Sequence, residues 1–277
     1  MATWLITGAS RGLGAEIARA ALAGGDAVAA AVRDPERLPE DLRSAERVLP
    51  VALDVTDTGA IGPAVESVVE RFGRIDVLVN NAGRGLLGAL EELSDAEARS
   101  LFDLNVFGLV NVTRAVLPHM RAAGGGKLVH IGSRSGFEGE PGVSMYSASK
   151  FAVAGISEAL SAELAPFGIQ SMVVEPGVFR TDFLDRSSLS LPAGRIADYD
   201  GTPAHVTLDW VDDANHTQLG DPVKGAALIH EVTCADKLPT HLLLGRDAID
   251  RWQVKTAQLA DDTEPWREKS LATAHES

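Results

Sequence analysis

The 277 residues are 45% hydrophobic and 23% charged, with 27 Gly and 13 Pro, a globular composition at the length of one domain plus an appended segment. Asp and Glu number 39 against 25 Lys and Arg, and the resulting net charge of −14 repels phosphate backbones and anionic lipid surfaces, so neither nucleic acid nor membrane is an expected partner. No uninterrupted apolar run of ~18 residues predicts a membrane span, residues 1–14 lack the basic start and apolar core of a signal peptide, and the single Cys234 has no partner for an internal disulfide, which together predict a cytoplasmic protein with Cys234 as a small buried residue.

The first aliphatic run, residues 3–7, ends in Thr7-Gly8-Ala9-Ser10-Arg11-Gly12-Leu13-Gly14, and residues 15–22 follow with a helical pattern. A glycine turn between strand and helix turns backbone N–H groups and the positive helix end toward a pyrophosphate, so this is an expected dinucleotide site. The second strand, residues 27–32, runs into Val32-Arg33-Asp34. There Arg33 offers a planar cation to a 2′-phosphate and Arg11 a second one, while Asp34 competes as a ribose diol ligand and equally suits capping the helix that Pro35 opens.

Further strands are expected at residues 47–52, 75–80, 127–132, 169–174 and 241–244. Between them, the helix leading to Phe72 is expected to start late or kink because of Gly59, Gly62 and Pro63, and Ser94-Asp95-Ala96-Glu97 has capping-box spacing. Strands that are apolar throughout and alternate with helices predict an α/β fold: a doubly wound parallel sheet of about seven strands covered on both faces. Residues 178–220 lack a period and are expected to form a substrate lid, lined by Phe179, Phe183, Leu184, Leu189, Tyr199 and Trp210, with Phe137, Met145 and residues 86–90 opposite. Beyond Gly245, residues 247–254 read as helix and the chain from Trp266 as a frayed polar end, dividing the chain into a catalytic unit, 1–245, and an extension, 246–277.

Tyr146 and Lys150 share one face of a helix, where an ammonium would favour the phenolate and bring the hydroxyl toward acid–base work at neutral pH. Ser133, at a strand end, can donate to an oxygen that gains charge, with Ser135 in the same loop as its rival. No metal site is expected, since neither His-Glu-x-x-His nor a second cysteine is present, and Gly-x-Ser-x-Gly is absent too.

With Leu53-Asp54-Val55, Asn80-Asn81-Ala82-Gly83, Asn105, Ser133, Tyr146-Ser147-Ala148-Ser149-Lys150 and Pro176-Gly177-Val178-Phe179-Arg180-Thr181 following the glycine motif in order, residues 3–245 resemble the short-chain dehydrogenase/reductase family. The resemblance implies a Rossmann-type fold with the cofactor held by Gly8, Ser10, Arg11, Gly12, Leu13 and Gly14. It further implies adenine contacts from Asp54 and Val55 and a cleft lined by Asn81, Ala82 and Gly83. Pro176, Gly177, Val178 and Thr181 would hold the nicotinamide. Ser133 and Tyr146 become catalytic, Lys150 also bonds the nicotinamide ribose, and Asn105 holds a relay water. The family's acidic NAD position falls on Val32 and its basic NADP position on Arg33, so NADP(H) is the expected cofactor. The expected activity is hydride transfer between NADP(H) and a medium-sized hydrophobic ketone or aldehyde by a homodimer or homotetramer. Its rivals are a catalytically silent NADP(H)-binding sensor or scaffold and a non-redox epimerase or dehydratase.

Overall fold

Strand alternation explains the architecture. In β1 (Thr3–Thr7), Trp4 and Ile6 face one side and Leu5 the other, and all three are buried. Trp4 and Ile6 join Ile17, Ala18 and Ala21 of α1 (Gly12–Ala23) and Ile229 of a later helix, whereas Leu5 joins Ile61, Val65 and Val68 of one helix and Val112, Val116 and Met120 of another on the opposite face. A strand that is apolar on both faces therefore needs helices on both, as observed.

The computed structural model describes residues 1–275, with the backbone alone at Asp212. After β1 and α1 come β2 (Ala27–Val32), α2 (Glu40–Arg43), β3 (Val48–Ala52), α3 (Thr58–Phe72), β4 (Val77–Asn80) and β5 (Gly85–Leu86). The chain continues through α4 (Asp95–Phe102), a π-helical stretch (Asp103–Gly108), α5 (Leu109–Ala122), β6 (Gly126–Ile131), α6 (Ser144–Glu163) and β7 (Ile169–Pro176). It ends with β8 (Leu189–Ser190), α7 (Pro203–Ala214), α8 (Pro222–Cys234), β9 (His241–Leu244), α9 (Arg246–Thr263) and α10 (Arg267–Leu271). Seven strands form one parallel sheet in the order β3-β2-β1-β4-β6-β7-β9. The chain reverses its direction of travel between β1 and β4, which opens a crevice at the carboxyl ends of these strands.

All seven expected strands are present, with ends shifted by a residue or two; β3 and β4 begin later than expected, and β7 extends to Pro176. The Asp34 cap and the Ser94/Glu97 capping box form as expected. The late start expected for α3 is incorrect: the Asp57 carboxylate accepts the Gly59 N–H at 3.0 Å and starts the helix at Thr58, and Pro63 is accommodated inside it. Residues 178–220 are not aperiodic throughout, because Thr202-Pro203 opens α7, and β8 pairs with β5 to clip the segment to the body. The chain from Trp266 includes α10 rather than only a frayed end, and the last two residues of the expected extension lie outside the described residues. Cys234 is exposed, with Sγ 3.6 Å from His230 Nε2, because it closes α8 at the protein surface. Residues Asp95–Ala122 do form a helical stretch long and apolar enough to cross a membrane, contrary to expectation, yet its Leu101, Val112, Val116 and Met120 are packed in the core.

Candidate active site

The crevice holds a cavity of about 760 Å³ that runs from the glycine turn to the lid. At its start, Gly8 and Gly12 adopt φ of +67° and +55°, a left-handed backbone that favours glycine. A Cβ on Gly8 would lie 3.0 Å from Ala82 Cα and Asn81 Nδ2, so the turn is closely seated on the end of β4. Asn81 completes that seat, its side chain donating to Thr7 O and Gly8 O while its backbone N–H and that of Ala82 donate to Thr7 Oγ1. Gly8, Ser10, Arg11, Gly12 and Leu13 line the cavity beside the N-terminus of α1, a cradle suited to a pyrophosphate. Gly14 does not line it. Its role is packing, since a Cβ there would lie 2.4 Å from Asn81 Nδ2.

At the end of the cavity beside β2 and β3, Arg33, Asp54 and Val55 line it. Burial pushes the Asp54 carboxyl up, but the Thr56 N–H and hydroxyl and the charge of Arg33 outweigh it and hold the group below its usual value. Asp34 lies off the cavity lining and accepts the Glu36 N–H, which favours the cap over the diol ligand. The Arg11 guanidinium is turned to the lid, donating to Ser187 Oγ, Ser187 O and Ser188 Oγ. The glycine turn and the lid are thus tied together.

At the other end, Ser133, Tyr146, Lys150, Pro176, Gly177, Val178 and Thr181 line one wall. Ser133 follows β6, its Oγ accepting the Ser135 N–H at 3.1 Å, and lines the same cavity as Tyr146. Ser135 instead donates to Glu140 Oε1, so the choice of Ser133 over Ser135 fits this geometry. Lys150 Nζ donates to Ile131 O at 2.8 Å and lies 5.8 Å from the centre of the Tyr146 ring. The expectation that the ammonium lowers the tyrosine is overturned in the cofactor-free site. Burial pushes the Tyr146 hydroxyl up to about 12 against the opposing influence of Ser133, and burial pulls Lys150 down to about 8. Tyr146 is held as a protonated acid.

Asn105 faces inward from the π-helical stretch but is absent from the cavity lining. Its side chain is occupied by the Arg84 N–H, Arg84 O and Ser149 Oγ, so it braces the segment after Gly83. Of the expected lid residues, Phe179, Phe183, Leu184 and Trp210 line the cavity, with the Phe183 ring 5.7 Å from that of Tyr146. Leu189 is consumed by packing on Gly85, Tyr199 donates to Glu91, Phe137 packs edge-on against Trp252, and Met145 joins an apolar cluster, so these four are not wall residues. Of residues 86–90, Leu87 alone reaches the cavity. Sequence reasoning missed Val143, Val206 and Thr207 in the outer part and Arg84, Arg134 and Glu140 beside the serine loop. The proline at the start of α7 was the available signal for the Val206/Thr207 wall.

Two groups of described residues have the composition of metal ligands: Asp26, His230 and Cys234 away from this cavity, and Asp182, Asp185 and His216 at its edge, where Asp182 lines it. The expectation of no metal site rested on sequence spacing and did not anticipate either grouping, since each joins residues far apart in the chain.

A dinucleotide cradle on a doubly wound sheet, joined to a Ser-Tyr-Lys wall, defines an oxidoreductase architecture, and the comparisons agree. The family model for short chain dehydrogenase matches residues 2–190. Oxidoreductase BOA17 of Botryotinia fuckeliana is 39% identical over 273 residues, 98% of each chain. The 3-ketodihydrosphingosine reductase of Bacteroides thetaiotaomicron is 42% identical over 195 residues, 70% of each chain. A crystal structure of a short-chain dehydrogenase from Streptomyces avermitilis superposes with a TM-score of 0.90 at 39% identity, covering 99% of this chain and 100% of that one. Other solved proteins of this fold carry the dinucleotide in both forms, a 3-ketoacyl-(acyl-carrier-protein) reductase with NADH and ElxO with NADP. The chain belongs to the short-chain dehydrogenase/reductase family and is an oxidoreductase of that class.

Proposed function

We propose that the protein is an NADP(H)-dependent carbonyl reductase or alcohol dehydrogenase whose preferred carbonyl substrate is a medium-sized hydrophobic ketone or aldehyde. The observation that carries this reading is the placement of Ser133, Tyr146 and Lys150 together on the cavity that also reaches Gly8 and Arg33. NADPH, when bound, supplies the hydride that goes to the carbonyl carbon. Tyr146 gives its proton to the carbonyl oxygen, which becomes the alcohol hydroxyl, and Ser133 holds that oxygen by a hydrogen bond as its charge grows. Lys150 is placed to return a positive charge beside the phenolate left behind.

NADP(H) is favoured over NAD(H) because Arg33 is an exposed cation at the adenosine end, next to Val32 where a diol-binding carboxylate would stand. The hydrophobic substrate is favoured by Phe183, Leu184, Val206 and Trp210 facing Leu87 and Val143. The similarity to a 3-ketodihydrosphingosine reductase supports a ketone as the substrate. We read residues 1–245 as the catalytic unit, 178–220 within it as the lid and 246–277 as an extension. Exposed Phe107 and Phe151, on the helices near Asn105 and Tyr146, are the faces expected to pair in a homodimer or homotetramer, and light scattering would report the mass. The single thiol and acidic charge favour the cytoplasm.

The test is NADPH oxidation followed at 340 nm over ketones and aldehydes of graded size. Turnover rising with apolar bulk supports the reading. NADPH binding without turnover of any carbonyl would favour the silent sensor.

A further inference from the structure

The extension after Gly245 has no part in the reading above, yet its first turn reaches the catalytic wall. Asp247, in the first turn of α9, turns its carboxylate away from its own helix, and Oδ2 accepts the Val178 N–H at 2.9 Å and a bond from Arg134 Nη1 at 3.3 Å. Val178 belongs to the loop read as the nicotinamide holder, and Arg134 directly follows Ser133. One carboxylate therefore grips the two loops that must present a hydride donor and a carbonyl oxygen to each other.

Two further observations show that the contact is built rather than incidental. A Cβ on Gly177 would lie 2.0 Å from Asp247 Oδ1, so the approach requires glycine at that place in the loop. Arg134 also donates to Glu140 at 3.0 Å, and Glu140 accepts Ser135 Oγ, so the grip continues through the rest of the serine loop. The Asp247 carboxylate is 39% exposed, and the charge pair with Arg134 is screened accordingly. The backbone N–H of Val178 is the stronger anchor, because a carboxylate acceptor fixes a main-chain atom rather than a flexible side chain.

We propose that Asp247 is a positioning residue: it sets the distance between the Pro176–Val178 loop and the Ser133 loop, and the C-terminal extension is thereby a working part of the active site. Asp247 is absent from the cavity lining and acts through Val178 and Arg134. This rests on the proposed reductase reading for its kinetic consequences but not for the tether itself.

The experiment compares Asp247→Ala, Asp247→Asn and Arg251→Ala in the full chain. Arg251→Ala cuts another bond from α9, to Glu138 of the serine loop at 2.9 Å, and leaves the Pro176–Val178 loop and the bridge between the two loops untouched. Because a misplaced reacting pair loses rate before it loses affinity, Asp247→Ala should lower kcat roughly tenfold or more while NADPH Kd, read by fluorescence, changes less than about threefold. The isotope effect with NADPH deuterated at the transferred position should rise. Asp247→Asn, which keeps an acceptor for the Val178 N–H, should recover most of the rate, and Arg251→Ala should leave it within about twofold.

Amide exchange at Val178, measured without cofactor, should quicken in Asp247→Ala alone. That arm holds even if the parent oxidises no NADPH with any carbonyl, an outcome that would overturn the reductase reading and leave the tether standing. Unchanged Val178 exchange and unchanged kcat in Asp247→Ala would overturn the proposal. So would an equal loss of kcat and melting temperature in all three variants, which marks general support of the fold.

Discussion

Lys150 Nζ donates to the carbonyl oxygen of Ile131 at 2.8 Å, so the ammonium one helical turn from Tyr146 is held by the last residue of the strand that delivers Ser133. Burial nevertheless lowers Lys150 from 10.5 to about 8. Between those values the unfolded chain carries a proton that the folded chain lacks, so this group makes stability rise with pH over that window. Tyr146, raised from 10.0 to about 12, has the opposite sign at higher pH. Without cofactor, Lys150→Met should melt above the parent at neutral pH, and the gap should narrow as pH passes 8 toward 10.5. The parent's kcat/KM for reduction should fall above about 8, as the charge beside Tyr146 is lost while the tyrosine stays protonated. A melting gap that widens with pH would contradict this.

Arg33→Ala isolates the 2′-phosphate. A charge-assisted hydrogen bond is worth about 1.5 to 3 kcal/mol, so NADPH should weaken roughly ten- to a hundredfold while NADH is nearly unaffected. Equal losses for both dinucleotides, measured by fluorescence titration, would give Arg33 a structural role through its charge on Asp54 instead.

Trp210 lines the cavity mouth from α7 and is 43% exposed, so removing it costs the fold little. Trp210→Ala should lower kcat/KM for bulky apolar ketones by about tenfold, equivalent to roughly 1.4 kcal/mol, and leave small ketones unchanged. Uniform change across the series would make α7 scaffold rather than a specificity wall.

The segment proposed as the lid is held by a buried contact. His205 Nε2 lies 2.7 Å from Glu92 Oε1 and Nδ1 lies 3.0 Å from Asp200 Oδ1, and the Ile196 N–H also donates to Glu92. Burial pushes the Glu92 carboxyl up, but these bonds and that from Ala89 hold it below its usual value. Its contribution is therefore present above the ordinary carboxylate range and lost as pH falls through the depressed value. His205→Ala should destabilise the protein by about 1 to 3 kcal/mol and raise amide exchange in Pro203–Ala214 first. Exchange that quickens equally across the whole sheet would contradict a local latch.

The sheet was legible because strands buried on both faces leave long apolar runs, as in Ala27–Val32, and because the glycine turn at Gly8 and Gly12 announces a left-handed backbone. The Tyr146/Lys150 pair was legible from helical spacing. Asp57 could be read as a cap only by weighing one side-chain bond against two glycines and a proline, and the lid helix was hidden by the mixed sequence around Val206 and Trp210. Asn105 and Arg11 have side chains whose partners, Arg84 and Ser187, are set by tertiary contacts that no spacing reveals. Asp247 is a further case, with partners Val178 and Arg134 that lie 69 and 113 residues away.

The most direct test of the account is Tyr146→Phe, assayed with the best carbonyl of the graded series. Removing one hydroxyl takes away the proposed proton donor but leaves the ring against Phe183. The account predicts unchanged folding, NADPH Kd within about threefold of the parent and a loss of kcat of roughly a hundredfold or more. Near-parental turnover in a folded, NADPH-binding Tyr146→Phe protein would contradict it.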